Sequence, residues 1–133
     1  MWTRIEGRRA MELATPGEMR TRLNALVLAG QKVATAGLHQ QDYVDEGEEL
    51  DRIGELMPLI DDDLEPIALL EITDVQRVRF ADVTWAFAQA EGEGFTSIEH
   101  WRDAHRRYWT GAGVAVDDDT EVVCVWMRLV NER

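Results

Sequence analysis

Lys32 is the only lysine of the chain, and the other thirteen of its 14 Lys and Arg residues are arginines. A desolvated lysine can lose its proton near neutral pH and act as a general base, which an arginine cannot do. Thr35 lies three residues later and offers a hydroxyl that such a base would activate as a nucleophile. Residues three apart on a regular strand face opposite sides, so their pairing requires irregular backbone after Gly30. The alternative is a solvated lysine in an arginine-rich chain.

A second group of candidates lies in the segment AEGEGFTSIEHWRDAHRRYW, residues 90–109. Glu91 and Glu93 alternate with glycines, where they either reach a site or form a solvated acidic turn. Arg102 and His105 occupy the next predicted helix and have the chemistry to hold a phosphate or the edge of a base. His105 follows Trp101 by one helical turn, so its alternative role is packing on the aromatic face of that helix.

The composition excludes several classes of site. A net charge of −12 argues against broad, non-specific nucleic-acid binding, but it leaves room for a small neutral ligand such as a nucleoside. The single cysteine, Cys124, cannot form an internal disulfide, and there is no Cys/His zinc pattern. The Asp61–Asp63 and Asp117–Asp119 runs lack the ligand spacing of a calcium loop. We therefore predict neither a metal nor a cofactor.

The hydropathy pattern indicates a protein without a membrane partner. No apolar stretch approaches the roughly 18–20 residues that cross a bilayer, and the first residues do not have the pattern of a signal peptide. The sequence therefore predicts a cytoplasmic protein.

The elements that must position the candidate residues form an α+β pattern. A helix is predicted over residues 14–30, with Thr15 as its N-cap, Glu18 completing a capping box and Gly30 ending it. A polar loop over residues 40–55 follows, and its Tyr43 is a candidate lid for a cleft. Strands are predicted over residues 56–60, 66–80 and 121–130, and helices over 80–94 and 97–109, with Thr96 and Glu99 as a second capping box.

The last predicted strand, EVVCVWMRLV, is nearly continuous in apolar residues, which indicates a strand covered on both faces. Residues 1–14 are weakly patterned and form an N-terminal extension that either wraps the body or frays. The predicted domain thus covers residues 15–133. Its fold class is α+β, with a small curved sheet or β-barrel and surrounding helices.

The segment GQKVAT, residues 30–35, resembles the G-x-K-x-x-T signature of ASCH domains, which belong to the PUA-like superfamily. Further similarity follows in the expected order in LNALVLAG, EGEEL, LLEITDVQRVRFADV, AEGEGFTSIEHWRDAHRRYW and VVCVWMRLV, from about Thr15 to Val130. The resemblance implies a small PUA-like β-barrel with a cleft lined by the signature. The family is associated with RNA. One bacterial branch hydrolyses N4-acetylcytidine and another has been linked to ribonuclease activity, while the AEGEG and WRDAH motifs look more like those of larger bacterial ASCH proteins.

The resemblance to the amidohydrolase branch implies catalytic roles for Lys32, Thr35 and Glu93. Lys32 would take the proton of Thr35, which attacks the acyl carbonyl, and a backbone N–H near Gly30 or Lys32 would stabilise the oxyanion. Glu93 would orient the cytosine amine and protonate it as it leaves. A competing arrangement keeps Lys32 charged and uses Glu93 as the base toward Thr35 or water. Substrate-binding roles are expected for Gly30, Tyr43, Glu91, Arg102 and His105.

The predicted function is therefore binding of a modified nucleoside or nucleotide, with hydrolysis of an N4-acylcytidine-type amide. The alternatives are an RNA-binding module that holds one single-stranded base in the same cleft, and a ribonuclease in which the lysine stabilises phosphate charge.

Overall fold

The computed structural model describes residues 1–130, and residues 131–133 of the predicted domain lie outside the described part. Its strands are β1 (Arg4–Ile5), β2 (Arg8–Arg9), β3 (Ala34–Leu38), β4 (Leu56–Ile60), β5 (Pro66–Arg79) and β6 (Glu121–Leu129). Its α-helices are α1 (Glu18–Leu28), α2 (Trp85–Ala90) and α3 (Ile98–Gly111), with a π-helix at His39–Val44 and a 3-10 turn at Phe80–Asp82. The α+β prediction is confirmed. In the described range, no helix is long and apolar enough to cross a membrane.

One antiparallel sheet carries the fold, with the strand order β3-β6-β5-β4. Successive residues of the central β6 alternate between two hydrophobic clusters, Val123 and Val125 facing one and Val122 and Cys124 the other. The prediction that this strand is covered on both faces is therefore correct, and the Cys124 thiol is buried. Where β5 pairs with β6, it contains a β-bulge between Ile72 and Asp74. The bulge increases the local bend, and the sheet curls into a half-barrel.

The N-terminal extension wraps the body instead of fraying. β1 and β2 form a short hairpin, and Met11 then runs parallel to β4, donating its N–H to the Pro58 carbonyl and accepting from the Ile60 N–H. Met11 and Leu13 bury their side chains in the same cluster as Val123. The extension thus covers the outer edge of β4, while among residues 1–130 no strand pairs with the outer edge of β3.

α1 begins later than the sequence predicts. Its N-cap is Gly17, at φ 127°, and no side chain caps the helix, so the prediction of a Thr15 capping box is wrong. The reason is tertiary: the Gly17 N–H is bound by the carboxylate of Asp62 and the buried Arg20 side chain ties the preceding Leu13 and Ala14 carbonyls to the helix.

The C-terminus of α1 follows the prediction. Gly30 adopts φ 77° and donates to the Val27 carbonyl, while the Gln31 N–H reaches the Leu26 carbonyl. These two bonds are the Schellman arrangement that a glycine after the last helical turn favours.

Three further boundaries differ from the prediction. The helix predicted over residues 80–94 begins only at Trp85, where Thr84 caps it, because Phe80–Asp82 forms a separate 3-10 turn. α3 is capped by Ser97 and not by Thr96, whose N–H instead donates to the His100 ring. The predicted loop over residues 40–55 contains the π-helix, a conformation that occurs often at functional sites.

We predict that Leu13→Ala lowers the free energy of unfolding by about 2–5 kcal/mol, because it removes a buried side chain from the hydrophobic cluster. Leu13 is 3% exposed although it lies in the predicted extension. Urea denaturation of the full chain measures the change. Ile53→Ala, at a side chain that is 71% exposed, is the control and should stay within about 0.5 kcal/mol of the native chain. Equal effects of the two substitutions would show that the extension does not contribute to the core.

Candidate active site

The Lys32 ammonium is buried between two carboxylates. Its Nζ donates to Glu93 Oε2 at 2.8 Å, to Glu91 Oε2 at 3.1 Å and to the Ala34 carbonyl at 2.8 Å. Lys32 is 2% exposed, so it is not a solvated surface lysine. Three acceptors match the three donors of an ammonium group, so its hydrogen-bonding capacity is filled. Within residues 1–130, Thr35 is not among the hydrogen-bond partners of Lys32.

The backbone around Lys32 has the irregularity that a Lys32–Thr35 site requires. Residues 31–33 lie between α1 and β3 and belong to neither, and the Lys32 N–H still donates to the Leu26 carbonyl of the helix. The Val33 N–H donates to the Ala90 carbonyl at the end of α2. The start of β3 is thereby tied to both helix ends, which places the Glu91–Glu93 turn beside Lys32.

Gly92 allows this close approach. It has φ 66°, and a Cβ at this position would lie 2.1 Å from the Gln31 carbonyl oxygen and 3.0 Å from the Lys32 nitrogen. Both contacts are with backbone, which cannot move aside as a flexible side chain would. A glycine between the two glutamates is therefore required for both carboxylates to reach one ammonium.

Glu91 lies at the buried end of the cluster. Besides Lys32 it accepts a hydrogen bond from the Trp101 indole N–H at 2.6 Å, and His105 Nε2 lies 3.5 Å from the same carboxylate oxygen. Burial raises the pKa of Glu91 to about 7, against the opposing attraction of Lys32. Near neutral pH this carboxyl therefore keeps its proton for part of the time.

His105 is neutral and packed. Its Nδ1 lies 2.9 Å from the Trp101 carbonyl, an acceptor, so this nitrogen carries the hydrogen and Nε2 presents a lone pair toward Glu91. Burial lowers the pKa of His105 to about 4. The ring also stacks on the Trp101 indole at a centroid distance of 4.0 Å. A lone pair facing Glu91 favours the protonated form of that carboxyl.

Glu93 behaves in the opposite way. Burial acts to raise its pKa, but the charge of Lys32 and the hydrogen bond from it outweigh burial, so the pKa of Glu93 lies below its ordinary value. Its side chain keeps 14% of its surface exposed, compared with 3% for Glu91. The two carboxyls thus differ in protonation near neutral pH, the difference expected of an acid–base pair.

A cleft of about 730 Å³ leads from solvent to this cluster. It lies between β3 and the N-terminal segment, where the half-barrel is not closed by a further strand. Thr35 pairs across the sheet with Val125, and both line the cleft together with Lys32, Glu91 and Glu93. The cleft therefore brings the three predicted catalytic residues to one space. Its walls are otherwise largely apolar and include Leu23, Met57, Phe95, Tyr108 and Trp109.

The predicted substrate-binding residues are divided by the structure. Tyr43 and His105 line the cleft, as does Glu91. Tyr43 is 5% exposed and donates its hydroxyl to Asp51 at 2.6 Å, so it is part of the wall and not a mobile lid. Arg102 is not among the residues that line the cleft, and its guanidinium donates to the Ala81 carbonyl.

Gly30 also lies outside the lining of the cleft. A backbone N–H near Gly30 or Lys32 was expected to stabilise an oxyanion, but the N–H groups of these two residues donate to carbonyls of α1, those of Val27 and Leu26.

Asp51 and the indole N–H of Trp101 were not identified from the sequence as site groups. Asp51 is buried in the cleft wall, and burial raises its pKa. No spacing rule connects it to Tyr43 or Trp101 to Glu91. Both pairs form by tertiary contact, so the hydrophobic periodicity of the sequence does not predict them. Among the described residues, no group of three or more His, Cys, Asp or Glu side chains is arranged to hold a metal ion.

A family model described as the ASCH domain matches residues 10–131. The chain belongs to the ASCH domain family. It is similar to the ASCH domain from Lactobacillus crispatus JV V101, with a TM-score of 0.76 and 26% identity over 93% of this chain and 82% of that one. It is also similar to the protein EF3133 from Enterococcus faecalis V583, with a TM-score of 0.75 and 28% identity over 86% of this chain and 71% of that one.

A third solved structure, the hypothetical protein PH0355, matches with a TM-score of 0.57 and 14% identity over 80% of this chain and 89% of that one, a likeness of fold alone. No curated protein matches the chain. The predicted PUA-like ASCH fold is confirmed by the family model and by the solved ASCH domain.

We predict that Gly92→Ala destabilises the chain by about 1–3 kcal/mol more than Gly94→Ala. Both glycines have positive φ, at 66° and 87°, so both substitutions place an alanine in the left-handed region. Only at Gly92 does the added Cβ meet backbone, whereas nothing lies within 4 Å at Gly94. Thermal and urea unfolding of the two variants measure the difference. Equal stabilities would mean that the turn does not press against the Gln31–Lys32 peptide.

A second prediction concerns pH. In the unfolded chain Glu91 has its ordinary pKa of 4.5, and in the folded chain about 7. Between these values the folded chain binds the proton more tightly, so the contribution of Glu91 to the free energy of unfolding falls as the pH rises. His105, with its lowered pKa, contributes in the opposite sense below about pH 6.5. Comparison with a variant that lacks only the Glu91 titration separates the two.

Urea denaturation between about pH 5 and pH 8 should therefore show Glu91→Gln gaining stability relative to the native chain as the pH rises. Glu99→Gln, which removes an exposed glutamate in the first turn of α3, is the control. Its stability should follow the pH dependence of the native chain, because this substitution leaves the Lys32–Glu91–Glu93 cluster intact. Parallel curves for Glu91→Gln and the native chain would contradict a raised pKa at Glu91.

Proposed function

We propose that the cleft binds the base of a modified nucleoside and hydrolyses an N4-acylcytidine-type amide. The observation that carries this proposal is the buried Lys32–Glu91–Glu93 cluster at the inner end of a cleft of about 730 Å³, with the Thr35 hydroxyl on the same wall. ASCH domains are associated with RNA binding, which supports a nucleoside, free or within an RNA, as the ligand class.

The charge of the cluster favours a neutral ligand group. One ammonium faces two carboxylates, so the cluster is neutral when Glu91 is protonated and negative when it is not. A phosphate would need a cation with free donors, and those of Lys32 already have three acceptors. Two other cations, Arg20 and Arg22, line the cleft, and Arg20 already donates to two backbone carbonyls. The net charge of −12 adds a repulsive field. At Lys32 these facts favour an amide group over a phosphodiester.

The hydrogen bonds favour the mechanism in which Lys32 stays charged. An ammonium that donates to two carboxylates and a carbonyl is poorly suited to accept a proton from Thr35. Lys32 instead neutralises and orients Glu93, whose low pKa leaves it ionised as the general base. Lys32 occupies only Oε2 of Glu93, so the other oxygen of this carboxylate is available to take a proton.

The reaction then has two halves. As Glu93 takes the Thr35 proton, the hydroxyl oxygen bonds to the acyl carbon, and the tetrahedral intermediate expels the cytosine N4, which receives that proton. Water attacks the resulting acyl-threonine ester with Glu93 again as base, the proton returns to Thr35, and the carboxylic acid is released. One water is consumed, and one amide gives one acid and one amine.

We predict that the purified chain converts N4-acetylcytidine to cytidine and acetate, measured by chromatography. Glu93→Gln should lower kcat/KM by roughly 100-fold or more, because the base is lost. Thr35→Val should be inactive and Thr35→Ser active, because only serine keeps the hydroxyl. An acetyl adduct on the intact mass of the native chain, absent from Thr35→Val, would identify the acyl-threonine.

Glu99→Gln is the control, an exposed glutamate in the first turn of α3 and away from the cleft. It should keep full activity. Absence of cytidine from the native chain would refute the amidohydrolase proposal. Retained activity in Thr35→Val would exclude Thr35 as the nucleophile and leave water in that role.

A further inference from the structure

A hydrolase of this kind needs a hydrogen-bond donor for the oxyanion. Several donors near Lys32 already bind other groups of the protein. The N–H groups of Gly30 and Lys32 cap α1. The Lys32 ammonium donates to Glu91, Glu93 and the Ala34 carbonyl. A further donor must therefore face the cleft if the acyl oxygen is to be stabilised.

The register of β3 identifies that group. The Met127 N–H donates to the Val33 carbonyl, so the pair Ala34–Trp126 is of the non-hydrogen-bonded kind. In an antiparallel pair the two kinds alternate, which makes Ala36–Cys124 non-hydrogen-bonded as well. The N–H and C=O of Ala36 therefore point away from β6, toward the open edge of the sheet.

Two hydrogen bonds on the same edge support this orientation independently. The Ala34 carbonyl accepts from the Lys32 ammonium, and the Leu38 N–H donates to Asp42 Oδ2 at 2.8 Å. Ala34 and Leu38 lie two residues before and two residues after Ala36 on the strand. All three residues therefore direct their backbone N–H and C=O groups to the same side. Ala36 lines the cleft, and within residues 1–130 its N–H has no hydrogen-bond partner outside the sheet.

The side chains bound at the positions on either side of Ala36 limit which ligands the edge of β3 can bind. An added strand would need alternate residues along β3, but the Lys32 and Asp42 side chains already fill the positions at Ala34 and Leu38. Ala36 lines the cleft, and neither its N–H nor its C=O is bound by Lys32 or Asp42. This pair of groups suits a compact ligand group and not an extended peptide.

We infer that the main-chain N–H of Ala36 binds the acyl oxygen of the substrate and stabilises the oxyanion that forms when Thr35 attacks. The N–H of the residue after a nucleophile lies beside the bond being made, and it serves this purpose in other hydrolases. When the Thr35 oxygen bonds to the acyl carbon, the carbonyl electron pair moves to the oxygen held by Ala36. This inference rests on the proposed function for its chemistry, but binding of the acyl group can be measured without turnover.

The binding test uses the Thr35→Val variant, which should not consume its ligand, and follows the Ala36 amide by ¹H–¹⁵N NMR. N4-acetylcytidine should shift the Ala36 amide proton downfield and slow its exchange with solvent. Cytidine, which lacks the acyl oxygen, should leave this amide unchanged. The inference is overturned if the Ala36 amide shifts with neither N4-acetylcytidine nor cytidine, or if it shifts equally with both. Failure of N4-acetylcytidine to bind also overturns it.

The kinetic test uses Ala36→Pro, which removes the cleft-facing N–H without removing a bond to β6, since proline is accepted at such edge positions. We expect kcat to fall roughly 100- to 1,000-fold, with the Kd of cytidine within about threefold of the native chain as a control for folding. Ala36→Ser keeps the N–H and should remain active.

The two proposals fail separately. Hydrolysis by the native chain together with an active Ala36→Pro variant overturns the role of Ala36 and leaves the amidohydrolase proposal standing. An acyl-dependent Ala36 shift without any hydrolysis supports the contact and refutes the catalysis.

Discussion

The ion cluster of Lys32 with Glu91 and Glu93 is the interaction on which the site and much of the local fold depend. Removing Lys32 would leave two carboxyls without their counter-charge in a nearly dry environment, which is far more costly than the loss of an exposed ion pair. The cluster therefore ties three parts of the chain together: the end of α1, the start of β3 and the turn after α2. Gly92 is the steric condition for this junction, because only a residue without Cβ fits against the Gln31–Lys32 peptide.

The open edge of the half-barrel determines where a ligand can enter. The N-terminal segment runs along β4 and leaves β3 without a neighbouring strand. Exposed edges invite pairing with other chains, and proteins protect them with charged side chains. Here the Lys32 and Asp42 side chains bind backbone groups at the two ends of the β3 edge. The side chains that protect this edge from pairing therefore also line the cleft.

Two carboxyls only two residues apart acquire opposite proton affinities because their surroundings differ. Glu91 lies against the Trp101 indole and the neutral His105 ring, and burial raises its pKa. Glu93 keeps contact with the cleft and takes the shorter hydrogen bond from Lys32, which lowers its pKa. The same ammonium therefore binds two carboxyls with different proton affinities. Membership of the ASCH family places this arrangement in a known fold without assigning its substrate.

The sequence alone determined the α+β class and the strands from Leu56 onward, because hydrophobic periodicity is a local property, while the grouping of Lys32, Thr35 and Glu93 came from the resemblance to ASCH domains. It also predicted the glycine stop of α1, since a left-handed residue after a helix is a local requirement. Tertiary structure decided the rest. The Thr15 cap failed because Asp62, which is distant in the sequence, binds the Gly17 N–H, while the Arg20 side chain holds the carbonyls just before the helix. The pairing of Lys32 with Glu91 and Glu93 and the position of Ala36 on the open edge depend on which distant groups meet, and no spacing along the chain encodes those partners.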